Sequence, residues 1–427
     1  MKTNSKQTSV ALESLGCKLN QAELQLLAGQ LVAAGYRVVG ADEKADIYVL
    51  NTCTVTHVAD RKSRHLLNMA RRRNPAVRIV ALGCYAEREP QALSSIAGVE
   101  LVLGNEQKWR LAELLGNSSP DSHPLIPDPS GERTRAFLKI QDGCRNFCAY
   151  CIVPLVRSVV SSVPAAEGLA QIKAHEAAGF KEVVLTGTEI GAYDCAGVDL
   201  KGLLNLILKE TNIPRARLSS LQPCHITPAL VSLWKNKRFC PHFHLSLQSG
   251  CDSVLKRMKR RYSVADYHRA VELIRESVPD AAITTDVIGG FPGETDNEFE
   301  ESCEFCRKIQ FARIHVFPYS PRPGTAAAAM AGQVAEKVKK ARCAHMLALA
   351  KESAAAFHKM FLGKTMEVLW EQQVNGVWSG LTGNYIKVYI KSAGDLTNRI
   401  MPVKLVKPYR DGLWGEISST MTDSISP

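Results

Sequence analysis

At 427 residues and 45% apolar content, the chain is long enough for roughly two or three ordinary globular cores. No apolar run reaches membrane-spanning length and the opening MKTNSKQTSV lacks the apolar stretch of a secretory signal, so a cytoplasmic protein with no membrane partner is expected. Thirteen cysteines are too dilute for a disulfide scaffold and point to metal or catalysis, while a net charge of +11 favours an anionic partner such as nucleic acid.

Residues 8–116 alternate short β-like runs with helical stretches. ALESLG (11–16) precedes the helical QAELQLLAGQLVAA; IYVLNTC (47–53) leads into VADRKSRHLLNMARRR; VRIVALGC (77–84) precedes another polar helix, and ELVLG (100–104) follows. This alternation predicts a doubly wound parallel α/β domain. The Pro-, Ser- and Asp-rich segment 117–133 reads as a linker.

Residues 134–357 offer six further strand candidates, RAFLKIQ, EVVLTG, ARLSSLQ, HFHLSLQS, ITTDVIGG and IHVFPYS, separated by helical segments and closed by an Ala-rich helix around 333–361. Six βα units suit a partial (βα)6 barrel of the TIM type. Between 362 and 422 the period changes to short strands, TMEVLWEQQ, VWSGLTG, NYIKVYIK, RIMPVKLVK and LWGEI, with Asn375-Gly376 and Asp411-Gly412 as hairpin turns. A small antiparallel β-barrel of the oligonucleotide-binding kind fits best.

The chemistry lies in two sets of three cysteines. GCRNFCAYC places Cys144, Cys148 and Cys151 at C-x3-C-x2-C spacing, just past the first strand of the second block. Four-iron clusters are normally held by four thiolates, so three leave one iron open to a cofactor; a zinc site completed by a distant cysteine is the alternative. Cys17, Cys53 and Cys84 each follow a strand of the first block. The carboxyl ends of neighbouring parallel strands face one crevice, so these thiols are expected to converge. Three buried free cysteines are the plainer alternative.

CRNFCAYC resembles the signature of radical S-adenosylmethionine (SAM) enzymes. LGCKLNQAE, NTCTVTHVADRKSR, HLSLQSG, LKRMKRRY, IGGFPGET and HVFPYSPRPGT resemble the methylthiotransferase family, most closely the branch that acts on N6-threonylcarbamoyladenosine in tRNA. The resemblance implies two 4Fe–4S clusters, one held by Cys144, Cys148 and Cys151 that cleaves SAM, and one held by Cys17, Cys53 and Cys84 that carries sulfur. It also implies two SAM per turnover, an external one-electron reductant, a sulfur source, the tRNA anticodon loop as partner and a C-terminal TRAM module. Tyr150 then matches the aromatic that lies against the SAM adenine, and Glu189 the polar group near the SAM ammonium. Ser246, Gln248, Gly289 and Gly290 lie at later strand ends and are further candidates for the SAM pocket. The sister branches, on isopentenyladenosine in tRNA or on a ribosomal-protein aspartate, are the alternatives, with an RNA-binding iron–sulfur electron carrier or sensor as the alternative of another class.

In NYIKVYIK, alternation puts Tyr385, Lys387, Tyr389 and Lys391 on one face, suited to stacking on bases and contacting phosphates, and Ile386, Val388 and Ile390 on the other. A solvated edge is the competing reading. The basic runs Arg71–Arg73 and Lys256–Arg261 are further phosphate candidates, though such runs are commonly solvated helix faces. Cys303 and Cys306 fit no ligand position and are expected to be structural. Two departures from the family pattern stand out. LVRSVVSSVP keeps Arg157 but lacks the usual glycine and second arginine, and Gln222 stands where the family usually has Glu.

Overall fold

The computed structural model describes residues 7–116 and 134–417; the expected linker 117–133, and 418–422 of the expected last domain, lie outside the described residues. The first block is a five-stranded sheet of β1 (Ser9–Ser14), β2 (Arg37–Val39), β3 (Ile47–Thr52), β4 (Arg78–Gly83) and β5 (Val99–Leu103), ordered β2-β1-β3-β4-β5 and wholly parallel. Strand alternation sorts its side chains between two layers. Val10, Val49, Val80 and Leu82 meet Leu27 and Leu31 of α1 (Lys18–Ala33). Ala11, Leu50, Ile79 and Ala81 meet Leu67 of α2 (His57–Arg73), Tyr85 of α3 (Cys84–Arg88) and Leu93 of α4 (Pro90–Ser94). α5 (Leu111–Leu114) completes the first layer. The winding reverses between β1 and β3, where open α/β sheets form their binding crevice. The domain is doubly wound, as its sequence periodicity implies.

The central block carries two parallel sheets. One holds β6 (Arg135–Lys139), β9 (Glu182–Thr186) and β12 (Arg215–Leu218); the other holds β13 (Ser220–Leu221), β14 (His242–Leu245), β15 (Ala282–Gly289) and β16 (Arg313–Pro318). Only Ser219 separates β12 from β13, so spatial order follows chain order. The short pair β7 (Gln141–Asp142) and β8 (Ser161–Ser162) clamps the base of the loop bearing Cys144, Cys148, Cys151 and α6 (Val153–Val156). A second short pair is β10 (Asp194–Cys195) with β11 (Val198–Asp199). Helices α7 (Ala165–Ala177), α8 (Leu200–Glu210), α9 (Pro228–Val231), α10 (Asp252–Arg257), α11 (Val264–Ser277), α12 (Asp296–Ile309) and α13 (Glu336–Lys359) follow the strands. Ile172, Leu204, Leu230, Leu255, Ile274, Cys303, Cys306 and Met346 pack with Leu138, Leu185, Phe243 and Ile283 in the largest core. Cys303 and Cys306 are thus core residues.

The last block is a closed barrel of β17 (Thr365–Val374), β18 (Val377–Thr382), β19 (Lys387–Lys391), β20 (Ile400–Tyr409) and β21 (Gly412–Glu416), ordered β17-β18-β19-β21-β20. Two corrections to the sequence reading arise here. The barrel is not wholly antiparallel, because β19 and β21 pair parallel, Val388 with Leu413 and Tyr389 with Trp414. The second hairpin turns at Arg410–Asp411, one residue early, since Gly412 already pairs with Tyr409. Asn375 and Gly376, with φ of 51° and 75°, form the expected first turn. The barrel docks on the amino ends of the central strands: Arg215 donates to Leu381 O and Glu367 O, Arg217 to Gly383 O, and Asn384 to Asp280 O.

Candidate active site

Cys17, Cys53 and Cys84 stand at the carboxyl ends of β1, β3 and β4, three adjacent strands. Asn20 ties these ends together. Its amide donates to Leu15 O and Thr52 O, and its Oδ1 receives the Cys17 thiol at 3.7 Å. Thr52 Oγ1 donates to Leu82 O, fixing β3 against β4. Gly16, at φ +109°, lies so close to Cys53 that a Cβ there would come within 2.7 Å of its sulfur. Cys53 and Cys84 are buried, whereas Cys17 is accessible at the crevice mouth. Burial pushes the Cys53 thiol up to about 12, with Cys17 and Cys84 adding to the rise.

The second set sits in the loop after β7. Cys144 faces Glu189, its thiol 3.2 Å from Oε2, and receives Asn146 N–H at 3.4 Å. Arg260 donates to Cys148 at 3.2 Å, and Cys151 N–H closes a turn onto Cys148 O. Burial pushes Cys144 up to about 12, Glu189 and Cys151 contributing; burial and Cys148 push Cys151 up to about 11.

Arg157 joins the two sets. Five per cent exposed, it donates to Cys84 Sγ at 3.3 Å, Asn20 Oδ1 at 3.0 Å, Glu23 at 2.8 and 2.9 Å and Asp142 at 2.8 Å. Glu23 is fully buried and also binds Lys108 at 2.7 Å and Lys139 at 3.0 Å. Burial works against the Glu23 carboxylate, but Arg157, Lys108 and Lys139 outweigh it and hold its carboxyl well below the usual range. This network welds the first sheet to the central block.

A cleft of about 230 Å³ opens beside Cys151. Its walls include Val55 and Thr56 just after Cys53, Tyr150 and Cys151 from the local motif, and Gln248 and Asp286 from the central strands. Of the candidate SAM-pocket residues, Tyr150 and Gln248 therefore line the cleft. Glu189 lies under the cysteine loop, bound to Asn146 at 2.6 Å and to the Gln222 amide at 2.7 Å. The glutamine departure thus has a local reason, because its N–H₂ donates to a carboxylate that a second carboxylate would repel. Ser246 is half-buried and its carbonyl accepts from Tyr262. Gly289 and Gly290 turn toward α13: a Cβ on Gly289 would meet Cys343 Sγ, and one on Gly290 would strike Lys339. Their small size serves the packing of α13.

The expected Tyr/Lys face also needs correction. Tyr385 precedes β19 with φ 71°, stacks on His242 at 4.7 Å between ring centroids and accepts from Arg135 at 3.0 Å. Tyr389 is 4% exposed, bonded to Asp411 and packed edge-on against Tyr409. Neither ring is an open stacking platform. Lys387 is half-buried near Asp411, and Lys391 is exposed. Ile386, Val388 and Ile390 fill the barrel.

Sequence reasoning missed Asn20, Glu23, Asp142 and Arg260 as partners of the cysteine loops, and a half-buried group on β14, β15 and β16. In that group His244, Asp286 and His315 offer ligand atoms within 4.8 Å of one another.

Residues 138–306 match the Radical SAM superfamily, and residues 9–104 match a family described as Uncharacterized protein family UPF0004. Among curated relatives, the threonylcarbamoyladenosine tRNA methylthiotransferase MtaB of Bacillus subtilis is 35% identical over 95% of this chain and 96% of its own. Its Thermotoga maritima counterpart is 37% identical over 89% and 90%. A tRNA-2-methylthio-N(6)-dimethylallyladenosine synthase of Thermodesulfovibrio yellowstonii is 32% identical over 96% and 99%. The radical SAM methyltransferase TsrM of Kitasatospora setae, solved with cobalamin and a [4Fe-4S] cluster, shares the fold with a TM-score of 0.56 at 16% identity, over 76% of this chain and 77% of that one. The chain belongs to the radical SAM methylthiotransferase family. SAM and 4Fe–4S clusters come with that membership, and the two convergent thiol sets are chemically suited to clusters. Among the described residues, no helix is long and apolar enough to cross a membrane.

Proposed function

We propose that this chain inserts a methylthio group at carbon 2 of the adenine of N6-threonylcarbamoyladenosine, next to the anticodon of tRNA. Relatives named for that substrate, at 32–37% identity, support this choice over the dimethylallyladenosine branch at 30–33%. Cys144, Cys148 and Cys151 hold the SAM-cleaving cluster, and Cys17, Cys53 and Cys84 the sulfur-carrying one. When bound, these groups supply a 5′-deoxyadenosyl radical and a transferable sulfur, with two SAM used per turnover. Tyr150 walls the cleft beside Cys151, Gln248 borders its opposite side, and Glu189 offers a carboxylate near the loop for the SAM ammonium. Arg260 and Arg157 each place a cationic donor on one cysteine sulfur, tuning charge at each set.

In this reading, residues 8–116 form the sulfur-cluster domain and 134–357 a partial TIM-type barrel with its reactive end at the strand carboxyl termini. Residues 362–422 form a TRAM-type, OB-like module. With Tyr385 and Tyr389 engaged internally, exposed Lys256, Lys259 and Arg261 near the cysteine loop, with Lys391 and Arg71–Arg73, are among the cations available to RNA phosphates. The reaction draws on an external one-electron reductant and a sulfur source, in the cytoplasm where tRNA is found.

The observation that carries the proposal is the cleft bordered by residues that follow Cys53 and by Cys151 itself. Mass spectrometry of tRNA nucleosides from a deletion strain tests it. Loss of 2-methylthio-N6-threonylcarbamoyladenosine, restored by this gene, is expected; an unchanged level rejects the substrate.

A further inference from the structure

We infer that Lys18, with His315 and His244, seats the carboxylate of the threonylcarbamoyl group, an assignment that rests on the substrate proposed above. Lys18 is the first residue of α1, directly after Cys17, and its side chain is half-buried. Its ammonium stands 5.8 Å from the Tyr385 ring centre; that ring stacks on His242, and His242 shares the Thr284 hydroxyl with His244, at 3.1 and 3.0 Å. Arg135 and Arg217 share that ring but have carboxylate partners, Glu371 and Glu182, each at 2.7 Å. Among the described residues, Lys18 has no carboxylate within ion-pair distance. A cation drawn out of water without a counter-ion is costly, and a bound anion offsets that cost.

The position suits one part of the substrate. Asp286 forms part of the cleft wall, pairs with His244 at 3.3 Å, and lies beside His315. Asp286 is where this group reaches the cleft that Cys151 also lines, so a substituent entering from the cleft past Asp286 meets the two imidazoles. A threonyl carboxylate meets Lys18 and an imidazole N–H, while the threonyl hydroxyl is a donor suited to Asp286. A dimethylallyl chain offers nothing to a charge, so the seat discriminates between the two nucleosides by leaving Lys18 unpaired with the wrong one. The same imidazoles and carboxylate could ligate a divalent ion, but the neighbouring ammonium opposes a second cation.

The test is equilibrium binding of an anticodon stem-loop RNA bearing N6-threonylcarbamoyladenosine to the cluster-reconstituted full chain, against the same RNA with the threonyl carboxylate converted to a carboxamide. The wild type is expected to favour the carboxylate by roughly tenfold to a hundredfold, as one or two charge-assisted hydrogen bonds provide. Lys18→Gln brings the ratio near one, Lys18→Arg keeps it, and His315→Asn lowers it part of the way. The ratio is the readout because Lys18 adjoins Cys17, and iron per chain is measured on each variant to register any disturbance there. An undiminished ratio in Lys18→Gln at normal iron content overturns the inference. Wild-type protein that methylthiolates only dimethylallyladenosine RNA overturns the substrate reading instead, a result separable from the first.

Discussion

Arg157 donates its Nε–H to the sulfur of Cys84 across 3.3 Å, bridging residues 73 positions apart. The same guanidinium holds Glu23 and Asp142, so one side chain sets the spacing between a cysteine of the first sheet and the loop of the central block. Lysine cannot reproduce this fork of contacts. Arg157→Lys keeps the charge but leaves several buried acceptors unfilled, so it is expected to lower stability by about 1–3 kcal/mol. Cluster retention should fall roughly tenfold to a hundredfold, as when a group behind a metal ligand is lost. Thermal unfolding and iron release to a chelator measure both; wild-type values in both would remove Arg157 from this role.

Acid should loosen the joint between the first sheet and the central block. The carboxyl of Glu23 is held well below its ordinary 4.5, and that of Asp142 below its ordinary 3.8; in each case burial opposes the cations and the cations prevail. A depressed carboxyl contributes stability that is complete above its unfolded pKa and is lost as pH falls through the folded one. The melting temperature is thus expected to hold from neutrality to about pH 5 and then drop steeply. Glu23→Gln should melt lower at pH 7 and show a shallower acid limb. Parallel acid limbs for the two proteins would contradict this account.

The periodicities that specify strands and helices are local, which is why the doubly wound sheet, the six central strands and all five barrel strands can be read from the chain. The convergence of Cys17, Cys53 and Cys84 is legible for the same reason, since each follows a strand and parallel strands end together. What is hidden depends on pairings far apart in sequence. Nothing near Glu23 announces Arg157, 134 residues on. The parallel pairing of β19 with β21 follows from barrel closure, not from either strand. Tyr385 misleads because a positive φ takes it out of the alternation just before β19 begins, and its ring turns inward to His242. Nothing near Gly289 and Gly290 announces that α13, about 50 residues later, packs against them.

Gly143 sits where the β7–β8 clamp hands over to the cysteine loop. Its φ is +73°, and a Cβ would come within 2.2 Å of Val159 O. Gly143→Ala must therefore shift backbone, and the loop bearing Cys144 moves with it. The variant is expected to keep the iron bound through Cys17, Cys53 and Cys84 while losing that bound through Cys144, Cys148 and Cys151. Iron and sulfide analysis with electron paramagnetic resonance reads this directly. Full iron content in Gly143→Ala would show the loop to be more tolerant than its contacts imply.

Replacing each cysteine set with alanine separates the two halves of the chemistry. Without Cys144, Cys148 and Cys151, Arg260 and Glu189 keep their places but face no thiolates, and no 5′-deoxyadenosine should form with SAM and a strong reductant. Without Cys17, Cys53 and Cys84, the loop after β7 is intact in its contacts with Glu189, Asn146 and Arg260. That variant should still cleave SAM yet leave the tRNA without sulfur. The asymmetry follows from the structure: each set has its own supporting residues, while Arg157 and the Asn105 amide, which donates to Cys84 Sγ at 3.7 Å and to Val156 O at 2.7 Å, link Cys84 to the segment after Cys151. If the first-sheet variant also failed to cleave SAM while retaining its other iron, the two sets would be coupled more tightly than these two links explain.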